Sequence, residues 1–182
     1  MGAWVRRSMQ VVAAAMLVFV AGCDGASTGT PTPATTSSNE AAIWDPCDPA
    51  DLPGQALVDL GYDPAVANRD IAGVKFPGWK VCGWQGNPKF DLTLFSADKT
   101  LAELPTNKEF RDIRPATVPG RDAVMYGRTN SPDDEFCNVA IGAAFGHVSF
   151  RANPRNLGTE FGLDVCGEAL RAAIALERFV PR

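Results

Sequence analysis

The chain has 182 residues, with 17 Lys and Arg against 21 Asp and Glu and a net charge of −4. Its 46% hydrophobic content suits one packed domain of common size. The acidic balance argues against nucleic acid, or an anionic lipid surface, as a partner.

Arg6 and Arg7 precede an unbroken apolar run, Val11 to Val20. That is a signal-peptide core, too short for a membrane-spanning helix of about 20 apolar residues. It ends in Val20-Ala21-Gly22-Cys23, which resembles the bacterial lipobox. Small Ala21 and Gly22 let a peptidase approach the backbone, and the Cys23 thiol accepts a diacylglyceryl thioether. Residues 1–22 are therefore expected to be a cleaved signal peptide using the general secretory route. Cys23 is expected to become the lipidated N-terminus on the extracytoplasmic face of the cell membrane. One acyl chain anchors marginally, whereas two or three hold stably. Cleavage removes Arg6 and Arg7 but no acidic residue, moving the net charge from −4 to −6. Residues 23–42 are rich in Ser and Thr, with Pro31 and Pro33 and no large apolar side chain. This segment reads as a disordered tether reaching roughly 20–25 Å. Its composition also suits O-glycosylation, although a plain linker is favoured.

Residues 43–182 read as a single domain. A short helix is expected from about Leu52 to Leu60, capped by Asp51, tolerating Pro53 in its first turn and stopping at Gly61. Val81 to Trp84 reads as a strand, and Gly86-Asn87-Pro88 as a turn. Lys89 to Phe95 alternates, with Phe90, Leu92 and Leu94 on one face and Asp91 and Thr93 on the other. Thr100 to Phe110 reads as a helix interrupted near Pro105. Pro119-Gly120 turns into a strand from Asp122 to Tyr126. Ser131 to Asp134 forms the next turn, and Phe136–Ile141 and His147–Ala152 pair as strands. In the last helix Asp164 is the cap. Cys166, Leu170, Ala173 and Ile174 form an apolar stripe there, widened by Ala169 and Leu176. The fold class is α+β: one antiparallel sheet with helices near both ends packed on it.

Besides Cys23, the cysteines are Cys47, Cys82, Cys137 and Cys166. An even number outside the cytoplasm reads as two disulfides, of which three pairings exist. Cys47–Cys82 with Cys137–Cys166 is preferred, because each bond joins a predicted helical region to a nearby strand. No C-x-x-C occurs, and zinc sites use close-spaced ligand pairs. No metal or cofactor is therefore expected.

Trp44-Asp45-Pro46-Cys47, Cys82-Gly83-Trp84, Pro119 to Val124, Cys137-Asn138-Val139-Ala140 and a helix bearing Cys166 together form a recognisable series. It resembles small actinobacterial lipoproteins of the mycobacterial Lpp/Lpr type that share a C-terminal domain of unknown function. The resemblance covers roughly Trp44 to Val180. It implies two disulfides, an α/β sandwich-like domain and an envelope location, and it implies no enzymatic activity.

No catalytic set stands out. His147 is the sole histidine, on a strand that alternates it with Ser149 and Arg151, and no G-x-S-x-G presents a nucleophile. It reads as structural or solvent-facing. Asp133, Asp134 and Glu135 adjoin one another and read as an acidic turn, since calcium loops alternate their ligands. Trp44, Trp79 and Trp84 flank Cys47 and Cys82 and are expected to cover that bond and fill the core. Phe76-Pro77-Gly78-Trp79 is the expected exposed apolar turn. The expected function is a non-enzymatic binding domain at the envelope, meeting a protein or a small ligand. The alternatives are a small cell-wall glycan or ester hydrolase and a lipid or small-molecule carrier.

Overall fold

The computed structural model describes residues 43–86, 88–131, 135–155 and 162–182. The leader, Cys23, the tether, Asp133 and Asp134 lie outside these residues. The elements run α1 (Gly54–Val58), β1 (Ala67–Arg69), β2 (Trp79–Trp84) and β3 (Phe90–Ala97). A 3-10 helix, Leu101–Thr106, leads into β4 (Phe110–Pro115), β5 (Ala123–Arg128), β6 (Cys137–Ala143) and β7 (Gly146–Pro154). The chain closes with α2 (Val165–Leu176) and a 3-10 turn, Glu177–Phe179.

The strands form one seven-stranded sheet in the order β1-β2-β3-β7-β6-β5-β4, and every pairing is antiparallel. The longest strands are central. In β7, Val148, Phe150 and Ala152 face α2, while His147, Ser149, Arg151 and Asn153 face the opposite way, as the period-2 pleat requires. Leu92 and Leu94 of β3 and Val139 and Ile141 of β6 join the α2 side, all fully buried.

Several sequence expectations are corrected. Thr100 to Phe110 is not a helix. The Thr100 N–H donates to the Glu103 carboxylate over 2.7 Å, which starts a helical turn. Pro105 has no N–H to continue an α ladder, so the segment stays 3-10 and leaves it at Asn107. Phe110 onward pairs with β5 instead. The N-terminal helix is shorter than expected, and Asp51 does not cap it; its carboxylate accepts the Asp45 N–H over 3.2 Å. Gly61 does end that helix region: at φ 84° it donates to Val58 O, and Tyr62 donates to Leu57 O, both over 2.9 Å. In α2, Asp164 accepts the Gly167 N–H over 2.7 Å. The buried stripe, however, is Val165, Ala169, Ala172, Ala173 and Leu176, while Ile174 is exposed. The three alanines let α2 sit close to β6 and β7, and this rotates the helix by one residue from the expected face.

Cys47 bonds to Cys82, and Cys137 to Cys166. The first ties the N-terminal segment to β2, and the second ties α2 to β6. Loops of 35 and 29 residues correspond to about 3.5–4 kcal/mol each on the chain-entropy account. Polar contacts reinforce both attachments. Tyr62 donates to Glu168 of α2 over 2.6 Å, and Arg171 donates to Leu60 O over 3.1 Å. Arg121, just before β5, is nearly buried and donates to Glu177 O and to the Glu177 carboxylate, which holds down the chain end.

Neither sheet edge invites another strand. β1 is three residues long, and β4 carries a bulge between Arg111 and Arg114 with Asp112 at φ 52°.

The β6–β7 hairpin turns through Ala144 and Phe145 into Gly146 at φ 148°. A methyl group there would lie 2.2 Å from Ala97 O and 2.8 Å from Lys99 O. Gly73, also at positive φ, has open space around it. Gly146→Ala is expected to cost about 3 kcal/mol or more and Gly73→Ala about 1 kcal/mol. Urea unfolding midpoints at unchanged m-value measure both; equal losses would contradict the clash.

Candidate functional site

Among the described residues no long helix lies over the face of the sheet away from α2. The 3-10 helix covers only its β5–β6 end, through Leu104 packed with Tyr126 and Ala140. Polar residues on the central strand β7 are consequently tolerated there, each with its own local solution. His147 is buried, and its Nδ1–H donates to Lys99 O over 2.6 Å. Its ring meets Trp79 edge-on. Ser149 and Tyr126 are buried and share a hydrogen bond of 2.9 Å between their hydroxyls. Burial raises the Tyr126 phenol further above its ordinary range.

Arg151 lies at the centre of this face. Its guanidinium is 4.3 Å from the ring centroids of both Phe95 and Phe136, so two aromatic faces hold the cation. Its Nε donates to Asn138 Oδ1 over 3.1 Å. Among the described residues no carboxylate pairs with it. Burial brings the guanidinium down to about 10, and Arg128 nearby acts in the same direction; it stays cationic at neutral pH. The Asn138 amide nitrogen beside it is buried and has no described acceptor.

Two adjoining hollows meet at Arg151. One, of about 410 Å³, has Phe95, Phe110, Phe136 and Trp79 among its walls, with the Ser149–Tyr126 pair at its base. The other, of about 370 Å³, runs towards β1 and β2, and Val81, Phe95, Ile71 and Arg151 line both. Volumes of this size are typical of small-ligand sites. Two other carboxylates lining these hollows are matched, and Asp70 lines the smaller one. Glu109 pairs with Arg128 over 3.1 Å, and Asp91 pairs with Arg155 over 3.4 Å.

The β1–β2 loop forms the rim. Asp70, Ala72 and Gly73 all take positive φ, and the resulting reversal carries Ile71 and Phe76 to the groove. Ile71, Val74 and Phe76 are 49%, 52% and 45% exposed. The exposed apolar turn expected at Phe76 is thus present, as one wall of the groove.

Other candidates from the sequence fall elsewhere. Trp44 and Trp84 belong to the core around Cys82, but Trp79 points to the other face, against His147 and into the groove. That corrects its expected place over the disulfide; Trp79 lies opposite Ala97, and its parity on β2 puts it on the far side. Glu135 is exposed. Among the described residues no three His, Cys, Asp or Glu side chains come together as a metal site, and no helix is long and apolar enough to cross a membrane. Sequence reasoning noted Arg151 only as a polar alternate of His147. The one signal for its role was Phe95, which the β3 alternation places on the same face as Asp91 and Thr93.

Burial lowers the His147 pKa, more than Lys99 O, Glu103 and Asp98 raise it. The unfolded chain therefore binds a proton near pH 6.5 that the folded chain resists. Stability contributed by neutral His147 is complete above that pH and declines below it, by at most about 1.4 kcal/mol per pH unit. Urea unfolding at pH 7.5 and 5.5 should show this loss in the native chain and a smaller one in His147→Gln. Equal losses would assign the effect to another group.

Residues 18–178 match a protein family described as a protein of unknown function, DUF3558. No curated protein and no solved structure matches the chain. The match takes in the whole described sheet and α2, both disulfides and the groove, and it begins ahead of Cys23. By that coverage the chain belongs to the DUF3558 family.

Proposed function

We propose that this protein is an exported lipoprotein of the actinobacterial Lpp/Lpr type, anchored by acyl chains on Cys23, whose domain binds a small ligand without chemical turnover. The groove around Arg151 carries the binding half of this reading. It combines aromatic walls, a hydroxyl pair and a cation lacking a described counter-charge, in a volume suited to a small molecule. The blunted sheet edges disfavour a partner that adds a strand, which favours a small ligand over strand-mediated protein docking. His147 is poorly placed for hydrolytic use: with Nδ1–H donated to Lys99 O, Nε2 is the nitrogen left to act as base, and it is buried with no described partner. The anchor half rests on the lipobox-like Val20-Ala21-Gly22-Cys23, and the family match starting at residue 18 includes those residues.

Two measurements test the two halves. Detergent phase partitioning should place the native chain in the detergent phase and Cys23→Ser in the aqueous phase; the same distribution for both would refute the anchor. Native mass spectrometry of the protein purified from envelopes should show a bound small molecule in a fraction of the chains. A bare mass at every preparation, with no small molecule recovered by extraction, would refute the binding reading.

A further inference from the structure

We propose that the groove takes an amphiphile with one anionic head, a carboxylate or a phosphate monoester, whose oxyanion pairs with Arg151 and whose apolar part lies along Phe95, Phe110 and Phe136. The inference rests on the binding reading above and specifies its ligand.

Three observations converge. First, Arg151 spends only its Nε–H on a described residue, Asn138. A guanidinium has five N–H donors in a planar fork, so four remain on the two terminal nitrogens. Both hollows open onto this side chain. Second, the fork is fixed before any ligand arrives. Stacking at 4.3 Å on both Phe95 and Phe136 limits the plane of the guanidinium, which suits bidentate pairing with a planar or tetrahedral oxyanion. Third, in the larger hollow the remaining charge cancels, as Glu109 is matched by Arg128, while Asp91, paired with Arg155, and Asp70 line only the adjoining hollow. A cation partly withdrawn from water with no described counter-ion is costly, and an incoming anion relieves that cost. A neutral or cationic ligand would leave it in place.

The apolar half of the ligand follows from the walls. From Arg151 the larger hollow extends between walls that include Phe95, Phe136, exposed Phe76 and Phe110, whose ring lies 4.6 Å from Tyr126. A chain or ring leaving the anion in that direction replaces water against aromatic surface.

The test uses the full chain carrying Cys23→Ser, which removes acyl chains that would compete with amphiphilic probes. Octanoate, octyl phosphate and octanol, each below its aggregation concentration, are titrated while Trp fluorescence is followed, since Trp79 lines the groove. Octanoate or octyl phosphate should bind at least tenfold more tightly than octanol, and the tighter of the two identifies the head group. Arg151→Met, which keeps an unbranched side chain between the rings, should lose at least tenfold for the anion and leave octanol within twofold. Arg151→Lys should retain part of the preference. Equal binding of octanol and both anions by the unsubstituted groove overturns the anionic inference while leaving the binding reading intact. An anion preference that persists in a folded Arg151→Met overturns it too. Should Arg151→Met not fold, the comparison of the three probes on the unsubstituted groove decides alone. No binding of any probe overturns the groove as a site for amphiphiles altogether.

Discussion

A single twelve-residue helix has to protect a sheet seven strands wide. Strands at about 4.8 Å spacing span about 29 Å, whereas a helix with its side chains is about 10 Å across. α2 therefore covers β6 and β7, and the N-terminal segment from Ile43 to Tyr62 adds cover through Trp44, Leu57 and Tyr62 in the same core. Among the described residues nothing of comparable size covers the other face. There the sheet has to supply its own cover, from aromatic side chains, one 3-10 turn and the folded-over β1–β2 loop. The groove is the space these small pieces leave between them.

This division explains the chemistry on β7. One side of the strand reads Val148, Phe150 and Ala152, fully buried. The other reads His147, Ser149 and Arg151, and each satisfies its polarity differently: a backbone carbonyl, a phenol, and two aromatic faces with an amide. Only the last leaves strong donors over. Placing a cation between Phe95 and Phe136 offsets part of its desolvation without neutralising it. The result is a fixed charge in a lined hollow whose other charges, Glu109 and Arg128, pair with each other.

Much of the architecture was legible because burial on one side imposes alternation. β3 and β7 announced themselves that way, and Asp164 marked the start of α2. The misses have physical causes. β1 is exposed along its whole length, and β4 reads Phe-Arg-Asp-Ile-Arg-Pro over a bulge, so neither shows a period. The 3-10 segment carried helix-start chemistry in Thr100 and Glu103 without room to continue past Pro105. Trp79 was assigned by proximity in sequence to Cys82, yet three positions along a strand reverse the face. Arg151 was invisible as a site because an arginine among polar alternates is the ordinary pattern of a wet surface; its importance comes from Phe95 on β3 and Phe136 just ahead of β6.

Both disulfides staple covering segments to the sheet on the α2 side, and neither touches the groove. Together they amount to about 7–8 kcal/mol on the entropic account, comparable to the whole net stability of an ordinary domain. A chain with free thiols would hold these covering segments by packing and hydrogen bonds alone. Completion of the fold is thereby coupled to electron loss from four sulfurs: an oxidant has to be met before both covering segments are held by covalent bonds.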